Sequence, residues 1–293
     1  MRTVFLGTAQ FAVPVLERLA RSEHRPVLVI TRPDRPRGRG RRVAPPPVAQ
    51  AAAQLGIEVA QPPSVNDRES LERITTAAPE VVCVCAFGGL IKEPLLSTYP
   101  MLNVHPSLLP RWRGAAPIER AIIAGDERTG VSIMRVAAGL DSGPVCAESD
   151  EAVAPDDTYG TLAPRLADAG GELLVSTLTE SPPCAEQDEA LATYAEKIGP
   201  EDRRLDPSRP ALELERVVRA LTPHIGAQLL LDDGPPLGVA RARALDTGPP
   251  AGELCLDGPL PVLGCGEGAL ELLVVKPPGR REMSAEDWLR GLR

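Results

Sequence analysis

Three polar side chains are spaced so that they could act on one reacting centre. Asn103 and His105 lie two apart in the short apolar run Leu102–His105 (LNVH), and at strand spacing both project from the same face. Asp141 sits in Gly139-Leu140-Asp141-Ser142-Gly143, where glycine neighbours add no side-chain bulk and let a carboxylate approach closely. An amide N–H can donate to an oxygen that gains negative charge, while an imidazole and a carboxylate can take and return a proton. A histidine at a strand end is by itself more often structural. Its company makes it informative: a polar pair, the proline-bounded loop Ser107–Pro117, and the glycine-flanked aspartate.

The elements that must hold these residues read as strand and helix in alternation. Thr3–Leu6, Pro26–Thr31, Ile57–Ala60, Val81–Ala86 and Leu102–His105 are short apolar strands, of the kind buried on both faces. Helical spacing recurs from Phe11 to Leu19, and over Val48–Leu55, Arg68–Ala77 and Ala116–Ala124. This pattern implies an α/β, Rossmann-like, doubly wound parallel sheet, whose ligands gather at the carboxyl ends of the strands. That is where His105 stands. Thr129–Arg135 and Gly143–Glu148 read as paired strands and Thr158–Leu178 as a long helix. Prolines 182, 183, 200, 207 and 210 then punctuate a polar stretch. Beyond a helix over Ala211–Leu221, short strands between Gly/Pro turns imply a small OB-like β-barrel. The expected division is a catalytic domain over residues 1–180, a linker over 181–208 and a barrel domain over 209–293.

Gly7-Thr8 after the first strand invites a dinucleotide reading, which fails because the full glycine fingerprint is absent. The three histidines have no partners at metal-ligand spacing, so no metal is expected. Six cysteines form no CxxC pair, and no secretory signal opens the chain, so disulfides are not expected and a cytoplasmic setting is. Cys83 and Cys85 read as small buried hydrophobes. Aromatics at 3% argue against base stacking as a way of holding single strands. The net charge of −8 speaks against a polyanionic partner, yet its distribution reverses that reading. Residues 32–42 (RPDRPRGRGRR) carry six arginines and one aspartate, a local +5, leaving −13 for the rest. An acidic body with one concentrated basic loop suits a polyanion gripped at a single place.

Asn103, His105 and Asp141, with Ser107-Leu108-Leu109-Pro110, resemble the folate-dependent formyltransferases. Longer matches resemble the branch acting on methionyl-tRNA: FLGTAQFAVP at 5–14, TRPDRPRGRGRR at 31–42, LLPRWRGAAPI at 108–118 and DEALATYAEKI at 188–198. The resemblance runs over the whole chain. It implies that a formyl group passes from 10-formyltetrahydrofolate to the amino group of methionyl initiator tRNA, with Asn103, His105 and Asp141 as catalytic residues. The amine attacks the formyl carbon, and the oxyanion needs donors such as the Asn103 amide and a protonated His105. Asp141 is placed to favour that protonated form and to accept the amine's proton; which of Asp141 and His105 takes it stays open. Ser107 sits in no nucleophile elbow, so no acyl-enzyme is expected.

By the same resemblance, Ser107, Leu108, Leu109 and Pro110 border the folate together with the turn Ala86, Phe87, Gly88, Gly89 and Leu90. Arg35, Arg37, Arg39, Arg41 and Arg42 meet the tRNA near its 3′ end, Arg39 most intimately. Arg216 and Arg219 on one helix, and Arg241 and Arg243 along one strand, could add a second basic face. The sequence departs from the family at Ala9-Gln10, Phe87 and Thr222-Pro223-His224, none of them among the catalytic three. The rival readings are a formyltransferase acting on a small amine such as an aminosugar nucleotide, and a formyl-folate hydrolase. Neither has a use for the arginine-rich loop. A tRNA-binding module without catalysis is disfavoured by the intact Asn/His/Asp set. No membrane segment is expected, and a monomer is the default.

Overall fold

The structure is a computed structural model and describes residues 1–37, 42–231 and 234–292. It has two compact units: Met1–Gly114, Arg128–Ala152 and Ala163–Tyr194 form the first, and Ala115–Glu127, Val153–Leu162 and Ala195–Arg293 the second. Along the chain run β1 (Thr3–Gly7), α1 (Ala12–Ala20), β2 (Pro26–Ile30), β3 (Arg35–Arg37), β4 (Arg42–Ala44), α2 (Pro47–Gln54), β5 (Glu58–Ala60), α3 (Arg68–Ala77), β6 (Val81–Cys85), α4 (Leu95–Thr98) and β7 (Met101–His105). Next come the two-residue β8 (Arg113–Gly114), α5 (Pro117–Ala124), β9 (Arg128–Arg135), β10 (Val145–Ala152) and α6 (Tyr159–Glu180).

Among the described residues of the first unit the main sheet has the order β10-β9-β7-β6-β1-β2-β5. From β5 to β7 all neighbours are parallel; β9 lies antiparallel to β7, and β10 antiparallel to β9. The parallel sheet read from the apolar runs is therefore present, with an antiparallel pair closing one edge. Val4, Leu6, Leu28, Ile30, Ile74 and Val82 share one buried cluster, which explains why these strands read as unbroken apolar runs. Cys83 and Cys85 are fully buried on β6; burial pushes the Cys83 thiol up to about 12 and that of Cys85 in the same direction. Both are inert packing residues. Helix α3 starts where Asp67 accepts from the backbone N–H of Ser70 at 2.8 Å; hydrogen bonding to the Ser70 side chain, then to its backbone, holds the Asp67 carboxyl below its usual range.

Two expectations change. The arginine-rich stretch reads as a loop, yet residues within and just after it pair as a β-hairpin, Arg35 with Ala44, Pro36 with Val43 and Arg37 with Arg42. Gln61 ties its base, donating to the Arg32 carbonyl at 3.1 Å and to Asp34 at 2.6 Å. The cysteine spacing predicts no disulfide, yet Cys146 and Cys184 form one. An isolated antiparallel bridge between Val145 and Ala185 brings the two cysteines together across 38 residues. No CxxC spacing is needed when backbone pairing supplies the proximity.

The second unit carries β11 (Tyr194–Ala195, which begins at the end of the first), α7 (Ala211–Leu221), β12 (Ala227–Leu229), β13 (Leu237–Leu245), β14 (Leu254–Cys255), β15 (Val262–Gly264), β16 (Ala269–Lys276), β17 (Met283–Ser284) and α8 (Ala285–Arg290). Its antiparallel sheet has the order β12-β13-β16-β15-β14, with β17 added beside β16. Leu214, Val217, Val218 and Leu221 of α7 pack with Val239, Leu270 and Leu272. Here too the short strands between Gly/Pro turns are legible in the sequence. His224 bonds the buried Glu119 through Nε2 at 2.9 Å and stacks on Tyr159 at 3.6 Å. The departure at Thr222-Pro223-His224 thus serves packing within this unit. Among the described residues no helix is long and apolar enough to cross a membrane.

Candidate active site

The end of β7 carries the first two polar residues. Asn103 and His105 stand opposite Met134 and Ser132 of β9, two apart and so on one face. His105 is 4% exposed, and its Nε2 lies 2.9 Å from the Trp112 carbonyl oxygen. A carbonyl only accepts, so Nε2 carries a hydrogen and Nδ1 is the nitrogen left for chemistry. Nδ1 faces Asp141 Oδ2 at 3.7 Å, too long for a hydrogen bond but within the range of an ion pair. Among the described residues the Asn103 side-chain amide bonds to no protein group. Asp141 comes from a distant stretch of chain, and the structure brings it to His105 as expected.

Asp141 is held in a conformation side chains rarely adopt, with φ at +45°; aspartate is one of the few residues that tolerates it. Its Oδ2 accepts from the backbone N–H of Gly114 at 2.9 Å, while Oδ1 accepts from no group among the described residues. The glycines have a different use from the one expected. A Cβ on Gly143 would stand 1.9 Å from the Arg135 carbonyl oxygen, so Gly143 lets the loop fold back on the end of β9. The glycine signal marks a close backbone approach rather than room for a ligand.

The loop after β7 is pinned from the sheet side. Ser132 Oγ accepts from the Leu109 N–H at 3.0 Å. Its one proton serves either the Ser107 carbonyl at 2.8 Å or Glu148 at 2.9 Å. Ser107 is fully buried and its hydroxyl donates to the Arg111 carbonyl at 2.6 Å, which fits a shaping role and not a nucleophile. Leu109 is buried, while Leu108 and Pro110 are half-buried. In the second turn, Ala86, Gly88 and Leu90 are exposed and Gly89 is half-buried, but Phe87 belongs to the hydrophobic core. The Phe87 carbonyl accepts from Thr8 Oγ1 at 2.7 Å, and the Ala9 N–H donates to Ala86 O at 3.3 Å. These bonds join that turn to the one after β1.

Sequence reasoning missed a second ring of residues. Arg113, 1% exposed, sends Nε to Gln187 Oε1 at 2.9 Å and both terminal nitrogens to Glu189 at 2.9 and 2.8 Å. The Arg113 guanidinium holds the exposed Glu189 carboxyl below its ordinary range. Gln187 donates onward to the carbonyls of Asp141 and Gly143 at 2.9 and 2.7 Å. Gln187 and Glu189 lie in the stretch read as linker, and a polar segment punctuated by prolines gives no local sign that two of its side chains are structural.

Of the arginines in the basic stretch, Arg35 is exposed and makes no ion pair among the described residues. Arg37 and Arg42 are placed by their backbone in the hairpin; Arg39 and Arg41 lie outside the described residues. The second basic face is weaker than its count of arginines suggests. Arg219 is bonded to Glu215 and to the Asp157 carbonyl, and Arg243 to Glu271. Arg216 packs its guanidinium against Gly125; Arg241 is exposed.

Comparison with known proteins bears on this arrangement. Residues 1–178 match the family model described as formyl transferase, and residues 197–293 that described as formyl transferase, C-terminal domain. Proteins named methionyl-tRNA formyltransferase from Methylococcus capsulatus and Halorhodospira halophila are 44% and 45% identical to it. Those matches cover 99% and 100% of this chain and 96% of each relative. Among solved structures, a variant of HypX from Aquifex aeolicus gives a TM-score of 0.68 at 18% identity over 99% of this chain. The chain spans about half of that protein, 48%. Methionyl-tRNA formyltransferase from Clostridium thermocellum gives 0.58 at 15% identity, covering 83% of this chain and 93% of that one. At such identities the structural likenesses speak for the fold alone.

Proposed function

The chain belongs to the formyl transferase family, and from that premise we propose that it transfers the formyl group of 10-formyltetrahydrofolate to the amino group of methionyl initiator tRNA. The observation that carries the acceptor is the whole-length likeness, at 44–45% identity, to proteins named for that reaction. The chemistry rests on the cluster at the end of β7.

Asn103, His105 and Asp141 are the proposed catalytic residues. The amine attacks the formyl carbon, a C–N bond forms, and the carbonyl oxygen gains charge. The Asn103 amide N–H and a hydrogen on His105 Nδ1 are the donors for that oxygen, in a site where His105 is almost wholly removed from water. Asp141 Oδ1 is the oxygen left to take the amine's proton, because Oδ2 is already engaged by Gly114. Collapse breaks the bond from the formyl carbon to the folate nitrogen, which leaves with the proton that Asp141 took from the amine. Ser107–Pro110 and Ala86–Leu90 border the folate. Phe87 contributes through its backbone, since its ring is in the core.

Arg35, Arg37, Arg39, Arg41 and Arg42 are the proposed tRNA contacts: guanidinium groups suit phosphates, and Arg35 is exposed and unpaired among the described residues. The proposed working form is a cytoplasmic monomer with a catalytic domain over 1–180, a linker over 181–208 and a C-terminal domain over 209–293. The test offers 10-formyltetrahydrofolate with charged initiator tRNA, uncharged tRNA and an aminosugar nucleotide in parallel. Formylation of the aminoacyl-tRNA alone is expected. Transfer to the sugar, or bare hydrolysis of the folate, would replace this reading while keeping the family.

A further inference from the structure

The Gln187 amide can sit only one way round. Its Oε1 faces Arg113 Nε at 2.9 Å, and arginine only donates. Its Nε2 faces two carbonyls, Asp141 O at 2.9 Å and Gly143 O at 2.7 Å, which only accept. A flipped amide would set oxygen against two oxygens and nitrogen against a guanidinium. The Arg113 guanidinium is fixed in turn, buried to 1% exposure and held by both oxygens of Glu189. Its own backbone N–H donates to Thr193 O at 2.9 Å. A chain of bonds therefore runs from the 187–193 segment to the backbone carbonyls of Asp141 and of Gly143, two residues on. That backbone is where support is needed, because Asp141 is held at φ +45° and such a conformation persists only when its surroundings over-determine it.

We propose that Gln187 is a positioning residue for formyl transfer: its side-chain amide, oriented by Arg113, holds the Asp141–Gly143 backbone so that the Asp141 carboxylate meets His105. The proposal rests on the role given to Asp141 above, and Gln187 touches neither substrate. Removing its donors frees both carbonyls, and Asp141 loses its register against His105 Nδ1.

The isosteric Gln187→Glu presents oxygen to both carbonyls, and Gln187→Met keeps the volume without any hydrogen bond. Either variant is expected to lower kcat about 10- to 100-fold, the size of a misplacement of up to ~1 Å. KM for 10-formyltetrahydrofolate and for aminoacyl-tRNA should stay within about threefold of wild type. The same substitution made on top of Asp141→Asn should cost less than about twofold more, because a group that acts through Asp141 has nothing left to act on. Losses that multiply, or a kcat equal to wild type in a folded variant, overturn the proposal. A crystal structure of either variant judges it without activity: the His105 Nδ1–Asp141 Oδ2 distance should lengthen from 3.7 Å, and an unmoved Asp141 refutes it. If the wild-type enzyme forms no formylated product, the functional reading falls, and that distance still decides the role of Gln187.

Discussion

The end of β7 and the hairpin after β2 are built in opposite ways for the roles proposed for them. Around Asp141 every anchoring polar atom has a named partner: Gly114 holds a carboxylate oxygen, Gln187 two carbonyls, Arg113 the glutamine, and Glu189 the arginine. In the basic stretch the described residues form three pairs of a hairpin, with the exposed Arg35 on it. Acyl transfer rewards geometry to a fraction of an ångström, and here part-buried bonds from two segments hold the backbone and carboxylate at Asp141. The proposed grip on a polyanion rewards charge density and reach, which composition alone supplies. Damage to the first region should therefore appear in kcat, and damage to the second in KM and salt dependence.

The sharpest test of that contrast is the catalytic cluster. Asp141→Asn and His105→Ala should each lower kcat by about 10²- to 10⁴-fold in single-turnover formyl transfer. Asp141→Asn should leave thermal unfolding nearly unchanged, whereas His105→Ala empties a buried position and removes a donor to the Trp112 carbonyl, so its Tm should fall. Near-normal turnover in Asp141→Asn would remove the aspartate from its role as base.

Replacing Arg35, Arg37, Arg39, Arg41 and Arg42 together with alanine should do the reverse. KM for the aminoacyl-tRNA is expected to rise about tenfold or more. The slope of log affinity against log salt should flatten by about 0.7 to 0.9 for each phosphate that the variant no longer neutralises. A fall in kcat with unchanged KM would break the contrast, since it would place the basic stretch inside the chemistry.

Arg113→Met tests the clamp that supports the first region. It leaves the Gln187 oxygen without a donor and Glu189 without a partner, at a cost of about 2 kcal/mol by urea denaturation. Turnover should fall as well. Stability reduced with kcat intact would separate the clamp from the site.

The smallest expected effect comes from a carboxylate–guanidinium pair within the second unit. In the second unit Asp202 accepts from Arg120 at 2.8 and 3.1 Å and from the Gly199 N–H at 2.8 Å. The hydrogen bond from Arg120 is the first cause of a carboxyl pKa lowered from its ordinary value. The stability it contributes is complete above the unfolded pKa, near pH 4, and is lost as pH falls through the lower folded pKa. Asp202→Asn should accordingly reduce Tm by a few degrees at pH 7. The gap to wild type should close progressively below about pH 4, with kcat unchanged throughout. A gap that persists at low pH would mean that the loss is not one of charge.

Much of the fold follows from local rules that the chain obeys nearly everywhere. Arg68–Ala77 and Ala211–Leu221 take the helical bounds their periodicity implies, because amphipathic spacing and the Asp67 cap act within a few residues. Asn103 and His105 share a face because strand side chains alternate with a fixed period of two. The density of arginine over 32–42 is plain from composition, whereas the glycines beside Asp141 read as room for an approaching carboxylate and prove, at Gly143, to let the backbone fold back on β9. What only the tertiary structure decided joins residues that no local pattern links. Gln187 reaches Asp141 across 46 residues, Arg113 reaches Glu189 across 76, and Cys146 meets Cys184 across 38. Periodicity and propensity are local, with a range of a turn or two of chain. A hydrogen bond between distant segments leaves no mark in the sequence beyond two polar residues, and becomes legible only when the sheet has placed their backbones side by side.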